Sequence, residues 1–322
     1  MTELFDRIMA AHRAIRPQVP VTPLERSAVL SAALGCEVLL KAEHLQPSGA
    51  FKLRGATNKI STLSEAERRR GVTTASTGNH GMAVARAGAL AGTAVRVHVA
   101  AGTARTKTDA ILALGAELVV IDGPPIEAEA SARRDAAASG RTYVPPYNDL
   151  DVMAGQGTVG VELMQQAPDL DAVFIAVGGG GLIGGTGTAI KRIRPQTRVV
   201  GVWAENSPVM LRALEAGAIA DVEESETLSD GTAGAIEAGS ITFPVCQSVI
   251  DERVLVSEAE IGQAMRRIAE AEHWIVEGAA GVALAGLVRQ AEAWRGRKVA
   301  VVLCGRNIAL DTFLQAISAA QA

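Results

Sequence analysis

Ala172-Val173-Phe174-Ile175-Ala176-Val177 runs straight into Gly178-Gly179-Gly180-Gly181-Leu182. Apolar residues without alternation predict a strand buried on both faces, the mark of a parallel sheet. The glycines let the chain turn tightly and bring its N–H groups close to an anion, and a helix beginning near Ile183 adds its positive end. The combination predicts a phosphate cradle at the carboxyl edge of a sheet, where open α/β folds bind ligands. A tight turn is the plainer reading of the same glycines. Similar apolar runs predict strands at Glu37–Lys41, Ala94–Ala100, Glu117–Ile121, Arg198–Trp203 and Lys298–Leu303. Between the strands, the pattern predicts helices at Gly81–Ala91, Ala104–Leu114, Glu127–Ala138, Val152–Gln166, Pro208–Ala216, Glu258–Ala271, Ala280–Ala293 and Ile308–Ala319. Strand alternating with helix gives the α/β class, with open, twisted, mostly parallel sheets covered by helices on both faces.

The 322 residues are enough for two domains and a sizeable core. Tyr143-Val144-Pro145-Pro146-Tyr147 is the best candidate for a crossing between them. A formal net charge of -4 supplies no basic field for nucleic acid. No apolar run reaches membrane-spanning length, so no membrane partner is expected. Glu3, Asp6 and Arg7 fit neither a secretory signal nor a transit peptide. Cys36, Cys246 and Cys304 are odd in number and lack metal-ligand spacing, which points to a reduced cytoplasm.

Three further segments carry candidate chemistry. Pro47-Ser48-Gly49-Ala50-Phe51-Lys52-Leu53-Arg54-Gly55 places one lysine beside an aromatic just ahead of a helix. Burial disfavours a lysine's charged form, and the neutral amine forms Schiff bases with aldehydes; a lone lysine is ordinarily solvated. Ser76-Thr77-Gly78-Asn79-His80-Gly81 gathers hydroxyls, an amide and an imidazole ahead of a helix. Such residues are often caps, but this density suits a loop that grips a carboxylate. Cys304-Gly305-Arg306-Asn307 ends the last strand, where a cysteine is more often inert core. A competing motif is also present: Gly179, Gly181 and Gly184 satisfy G-x-G-x-x-G with Glu205 roughly twenty residues on. That dinucleotide fingerprint normally opens the first βαβ unit, and it offers no role for Lys52.

Taken in order, these segments resemble the fold-type II pyridoxal 5'-phosphate (PLP) enzymes, whose fold is like that of tryptophan synthase β, and among them the serine/threonine dehydratases. Thr22-Pro23-Leu24, Gln156-Gly157-Thr158, Ser229-Asp230-Gly231 and Glu277-Gly278-Ala279-Ala280-Gly281 extend the likeness over nearly the whole chain. The resemblance implies a large PLP-binding domain from residues 1–50 and 149–322, with a small mobile domain from 51–148. Lys52 would be the Schiff-base lysine and the acid/base, with Phe51 near the ring and Asn79 on the cofactor's phenolic oxygen. Ser76, Thr77, Gly78 and His80 would hold the substrate carboxylate. Gly178, Gly179, Gly180, Gly181 and Leu182 would bind phosphate through N–H groups. Glu277 would lie near the ring edge, and Cys304 would face the pyridine nitrogen. The implied reaction is dehydration and deamination of a β-hydroxy amino acid, such as threonine or serine, to a 2-oxo acid and ammonia. A neutral thiol at the ring nitrogen makes a weaker electron sink than an aspartate would, which favours elimination.

Several features depart from the family's pattern. Thr77 stands where many relatives have a serine that acts as a second base, so little racemase activity is expected. Trp203 and Val209 replace the two carboxylates of the metal-activated relatives, so no metal site is expected. Arg306 replaces a small residue; it reads either as a solvated side chain or as a contact to an extra acidic or polar group on the substrate. With no further domain after the last helix, the resemblance implies a catabolic enzyme. Within the family the chain looks most like the dehydratase-like proteins of ectoine and hydroxyectoine utilisation, and a homo-oligomer, dimer or tetramer, is expected. Open alternatives are a racemase or β-replacement enzyme on the same scaffold, a nucleotide-binding oxidoreductase, or a non-catalytic binder of phosphate ligands.

Overall fold

The computed structural model describes residues 2–319 apart from Thr77, Ala104 and Pro124, and leaves out the side chains of Thr106 and Pro125. Among the described residues ten strands form two sheets: β1 (Leu24–Arg26), β2 (Glu37–Lys41), β3 (Val72–Ala75), β4 (Val95–Ala100), β5 (Glu117–Ile121), β6 (Thr142–Tyr143), β7 (Ala172–Ala176), β8 (Arg198–Ala204), β9 (Glu252–Val256) and β10 (Lys298–Val302). The larger sheet runs β1-β2-β10-β7-β8-β9, parallel except for the β1–β2 pair; the smaller runs β5-β4-β3-β6 and is parallel throughout.

All six predicted strands form, within a residue or so at each end. Those that escaped the pattern have a physical reason. Val72-Thr73-Thr74-Ala75 carries two threonines in its centre, so it shows no apolar run, yet Thr73 and Thr74 are fully buried. Glu252–Val256 has Arg253 at its second position and lies on an edge. The other two, β1 and β6, are edge strands of three and two residues, too short to show a period. The helix at the glycine loop begins at Gly181, two residues before Ile183.

The core of the large sheet is continuous aliphatic packing. Val38, Leu40, Val173, Phe174, Ile175, Val299, Ala300, Val301 and Val302 are all sealed from solvent. The adjacent parallel strands β2, β10 and β7 end side by side, with Ala300 paired to Leu39 on one flank and to Val173 on the other. Their carboxyl ends lead to the Lys52 segment, Cys304 and Gly178. From the second sheet, β3 ends at the Ser76–His80 loop, so four candidate segments converge on one cleft.

An ionic cluster lies beneath that cleft. Arg54, in the helix Lys52–Thr62, donates to both oxygens of Glu43 at 2.7 Å and to both oxygens of Glu162 at 2.7 Å. Lys41 Nζ donates to Glu162 at 2.7 Å, and Thr22 Oγ1 donates to Glu43 at 2.5 Å. Lys41, Glu43, Arg54 and Glu162 are all fully buried. Burial alone would raise the Glu162 pKa, but Arg54 and Lys41 overcome it and hold the group at about 2. Removing one partner of such a cluster strands a buried charge. Glu162→Ala is therefore expected to lower unfolding stability by about 3–5 kcal/mol in urea titrations. In the wild type, the contribution of Glu162 is present above the ordinary value of 4.5 and is lost as pH falls toward about 2. A change below about 1 kcal/mol would show that the cluster adds little net stability.

Candidate active site

The cleft encloses about 890 Å³. Lys52 lies at its base, in the first turn of the helix Lys52–Thr62. Its Nζ donates to the Pro146 carbonyl at 2.8 Å and sits 5.3 Å from the centre of the Phe51 ring. Burial pulls its pKa down to about 8, against the opposing pull of Cys304 and Glu277. Burial also raises the Cys304 thiol well above its usual range, so the thiol is neutral near pH 7 and only Glu277 then opposes the shift. At pH 7 roughly one amine in ten is thus unprotonated, far more than at the ordinary lysine value, as a nucleophile requires.

The glycine loop has the geometry of an anion site. Thr242 Oγ1 donates to the Gly179 carbonyl at 2.6 Å, and the Gly180 carbonyl accepts from Gly184 N–H at 2.8 Å. A trans peptide sets its C=O and the following N–H on opposite sides. With those carbonyls turned inward, the N–H groups of Gly180 and Gly181 point the other way. Among the described residues, the N–H groups of Gly178–Gly181 have no protein hydrogen-bond partner. Gly180 adopts φ +86°, open to glycine at little cost, and a side chain at Gly179 would meet the Tyr147 ring at 2.5 Å. Leu182 is buried in the first turn of the helix Gly181–Ile193 and lines the cleft.

Asn79 opens the helix Asn79–Ala91. Its Nδ2 donates to the two oxygens of Glu277 at 2.8 and 2.9 Å. Burial raises the Glu277 pKa to about 7, while the hydrogen bond from Asn79 lowers it. Cys304 Sγ lies 3.9 Å from Glu277 Oε1. Ser76 Oγ accepts from Gly78 N–H at 3.2 Å, which holds the loop in a turn. Thr77, the expected partner of these residues, lies outside the described residues. His80 is buried, with Nε2 bonded to the Val144 carbonyl at 2.9 Å. Burial and the nearby Lys52 lower its pKa to about 3, so it offers no positive charge to a carboxylate. Arg306 is exposed at the cleft mouth and has no side-chain ion pair among the described residues.

A family model described as "Pyridoxal-phosphate dependent enzyme" matches residues 15–305. The chain belongs to this family. The L-threonine ammonia-lyase of Thermotoga maritima is 40% identical over 304 residues, covering 94% of this chain and 75% of the relative. The processed form of threonine deaminase isoform 2 from Solanum lycopersicum superposes with a TM-score of 0.96 at 34% identity, covering 100% of this chain and 94% of that one. Serine racemase from Dictyostelium discoideum is similar at a TM-score of 0.89 and 32% identity, covering 95% and 99%. The cofactor is therefore pyridoxal 5'-phosphate, on the serine/threonine dehydratase branch of the fold-type II enzymes.

The residues present fit that group. Among the described residues, a loop of unpartnered N–H groups at a helix start suits a phosphate, and a lysine whose amine hydrogen-bonds only to a carbonyl suits an aldehyde. Two participants escaped the sequence reading. Tyr147 packs against the glycine loop, and Asn307 donates to Asn79 Oδ1 at 2.6 Å. Asn307 stood inside a quoted motif, but only the fold shows its partner. In cofactor-free protein, amine-directed acylation of Lys52 should rise with pH about a midpoint near 8. A midpoint near the ordinary value of about 10.4 would contradict the neutral-amine reading.

Proposed function

We propose that this enzyme eliminates the β-hydroxyl group of an amino acid such as threonine or serine, releasing a 2-oxo acid and ammonia. The observation that carries the reading is the Lys52 amine, poised near neutrality opposite a phosphate cradle. Bound in the cleft, pyridoxal phosphate supplies the electron sink for charge developing at the substrate's α-carbon. Gly178–Gly181 and Leu182 would hold its phosphate, and Asn79, Glu277 and Phe51 would hold the rest of the group. Lys52, as the free amine, takes the α-proton. Cys304 stays neutral and would offer the cofactor only a weak donor. Ser76, Thr77, Gly78 and His80 hold the substrate carboxylate, His80 as a neutral wall rather than a cation.

Residues 51–148 form the smaller, mobile domain of this reading, against 1–50 and 149–322 in the larger. Ion pairs at the rim support that closure: Lys107 to Asp230 at 3.4 Å and Arg133 to Glu237 at 2.7 Å. Metal-free activity is the expectation: Trp203 and Val209 are buried apolar side chains, and Glu205, the acidic residue that directly follows β8, pairs with Arg289 at 3.6 Å. A chelator should leave turnover unchanged, and loss restored by Mg²⁺ would overturn this. Three buried, unpaired cysteines support a cytoplasmic setting. No described helix is long and apolar enough to cross a membrane. Exposed Leu310 and Leu314 on the last helix support a homo-oligomer. The narrower link to hydroxyectoine utilisation rests on the Cys304–Asn307 segment.

Arg306, unpaired at the mouth, contacts an additional acidic or polar group of the natural substrate. A screen of β-hydroxy amino acids for 2-oxo acid and ammonia should find turnover, with D-amino acid a minor product. Arg306→Ala should then raise KM for the best substrate by about tenfold and leave serine nearly unaffected. D-amino acid as the main product would favour the racemase alternative, and equal KM effects would remove Arg306 from specificity.

A further inference from the structure

Asn307 joins three segments of the cleft. Its Nδ2 donates to the Ser48 carbonyl at 2.9 Å and to Asn79 Oδ1 at 2.6 Å. The Asn307 backbone also acts on Glu277, drawing its pKa down against burial. Gly49, at φ +79°, makes room for it: a side chain there would collide with the Asn307 amide.

The direction of this chain of hydrogen bonds follows from its ends. The Ser48 carbonyl can only accept, so Asn307 must turn Nδ2 toward it. The same Nδ2 faces Asn79, which must therefore answer with Oδ1. That leaves Asn79 Nδ2 on the side of Glu277, where it donates to both carboxyl oxygens, which only accept when the group is ionised. An amide flip at Asn79 alone would set oxygen against Glu277 and nitrogen against nitrogen. A backbone carbonyl beside Lys52 thus fixes the polarity of a side chain that follows the second sheet.

We propose that Asn307 is a positioning residue that locks the Asn79 amide with its donor end toward Glu277 and the cleft, ready for the cofactor's ring oxygen. This inference rests on the reading of Asn79 as the partner of that oxygen. Asn307 acts through Asn79 and contributes no group to the chemistry itself.

The test is a double-mutant cycle on the full-length protein, stripped of cofactor and titrated with pyridoxal phosphate while visible absorbance is followed. Asn307→Asp replaces the donor by an acceptor and reverses the required polarity. It should weaken cofactor Kd by about tenfold in the wild-type background and by less than about twofold when Asn79→Ala is already present. The pH midpoint of the bound cofactor's visible band should shift in Asn307→Asp and not further in the double variant. Asn307→Ser carries no new charge and keeps the test readable if Asn307→Asp fails to fold; it should show a smaller effect with the same dependence on Asn79. Equal weakening in both backgrounds, or none in the wild-type background, would overturn the inference. If the wild type itself takes up no cofactor, it is the reading of the whole site that fails; additive variants of a cofactor-binding wild type sink the Asn307 inference alone.

Discussion

Arg54 is held by two buried carboxylates, Glu43 and Glu162, two residues beyond Lys52. The rest of the site depends on this grip. Glu43 follows β2, Glu162 comes from the helix Leu150–Gln166, and Arg54 belongs to the helix that starts at Lys52. Four hydrogen bonds of 2.7 Å from one guanidinium leave that helix little freedom to slide or rotate. Buried pairs of this kind gain little net stability over apolar packing, but they tolerate no missing partner. Their effect here is geometric, because the amine of Lys52 emerges at one defined place in the cleft.

The molecule treats buried charge in two opposite ways. In the cluster beneath the cleft every charge has a partner at bonding distance, so Glu162 stays ionised far into acid. Inside the cleft the partners are withheld. Among the described residues, Lys52 has a carbonyl as its hydrogen-bond partner, Glu277 an amide and a weak thiol contact, and His80 a carbonyl. Their pKa values of about 8, about 7 and about 3 all move toward the neutral form of the group. Lys52 and Glu277 can thus gain or lose a proton near neutrality, as proton abstraction at an α-carbon demands, while His80 stays neutral.

Much of this was legible in the sequence because it is local. Apolar runs such as Ala172–Val177 announce strands buried on both faces, and four glycines after one of them announce a turn that approaches a ligand. The Lys52 segment, the Ser76–His80 loop and Cys304 could be named in advance and do share one cleft. What was not legible depends on contacts across the chain. Glu162 meets Arg54 across 108 residues, and Asn307 meets Asn79 across 228. Neither pairing leaves a periodicity. The strand Val72–Ala75 shows no apolar run because two threonines interrupt it; only the fold shows Thr74 Oγ1 donating to the Val144 carbonyl at 2.8 Å. The sequence names His80 with its loop, but only the fold shows its ring tied to the same carbonyl.

Borohydride reduction of the cofactor-loaded protein, followed by peptide mass mapping, tests the central claim most directly. Reduction fixes the cofactor irreversibly on whichever amine carries it. A single modified peptide containing Lys52 is the predicted result. Modification at another lysine, or none in protein that has taken up the cofactor, would contradict the assignment of Lys52 and the site built around it.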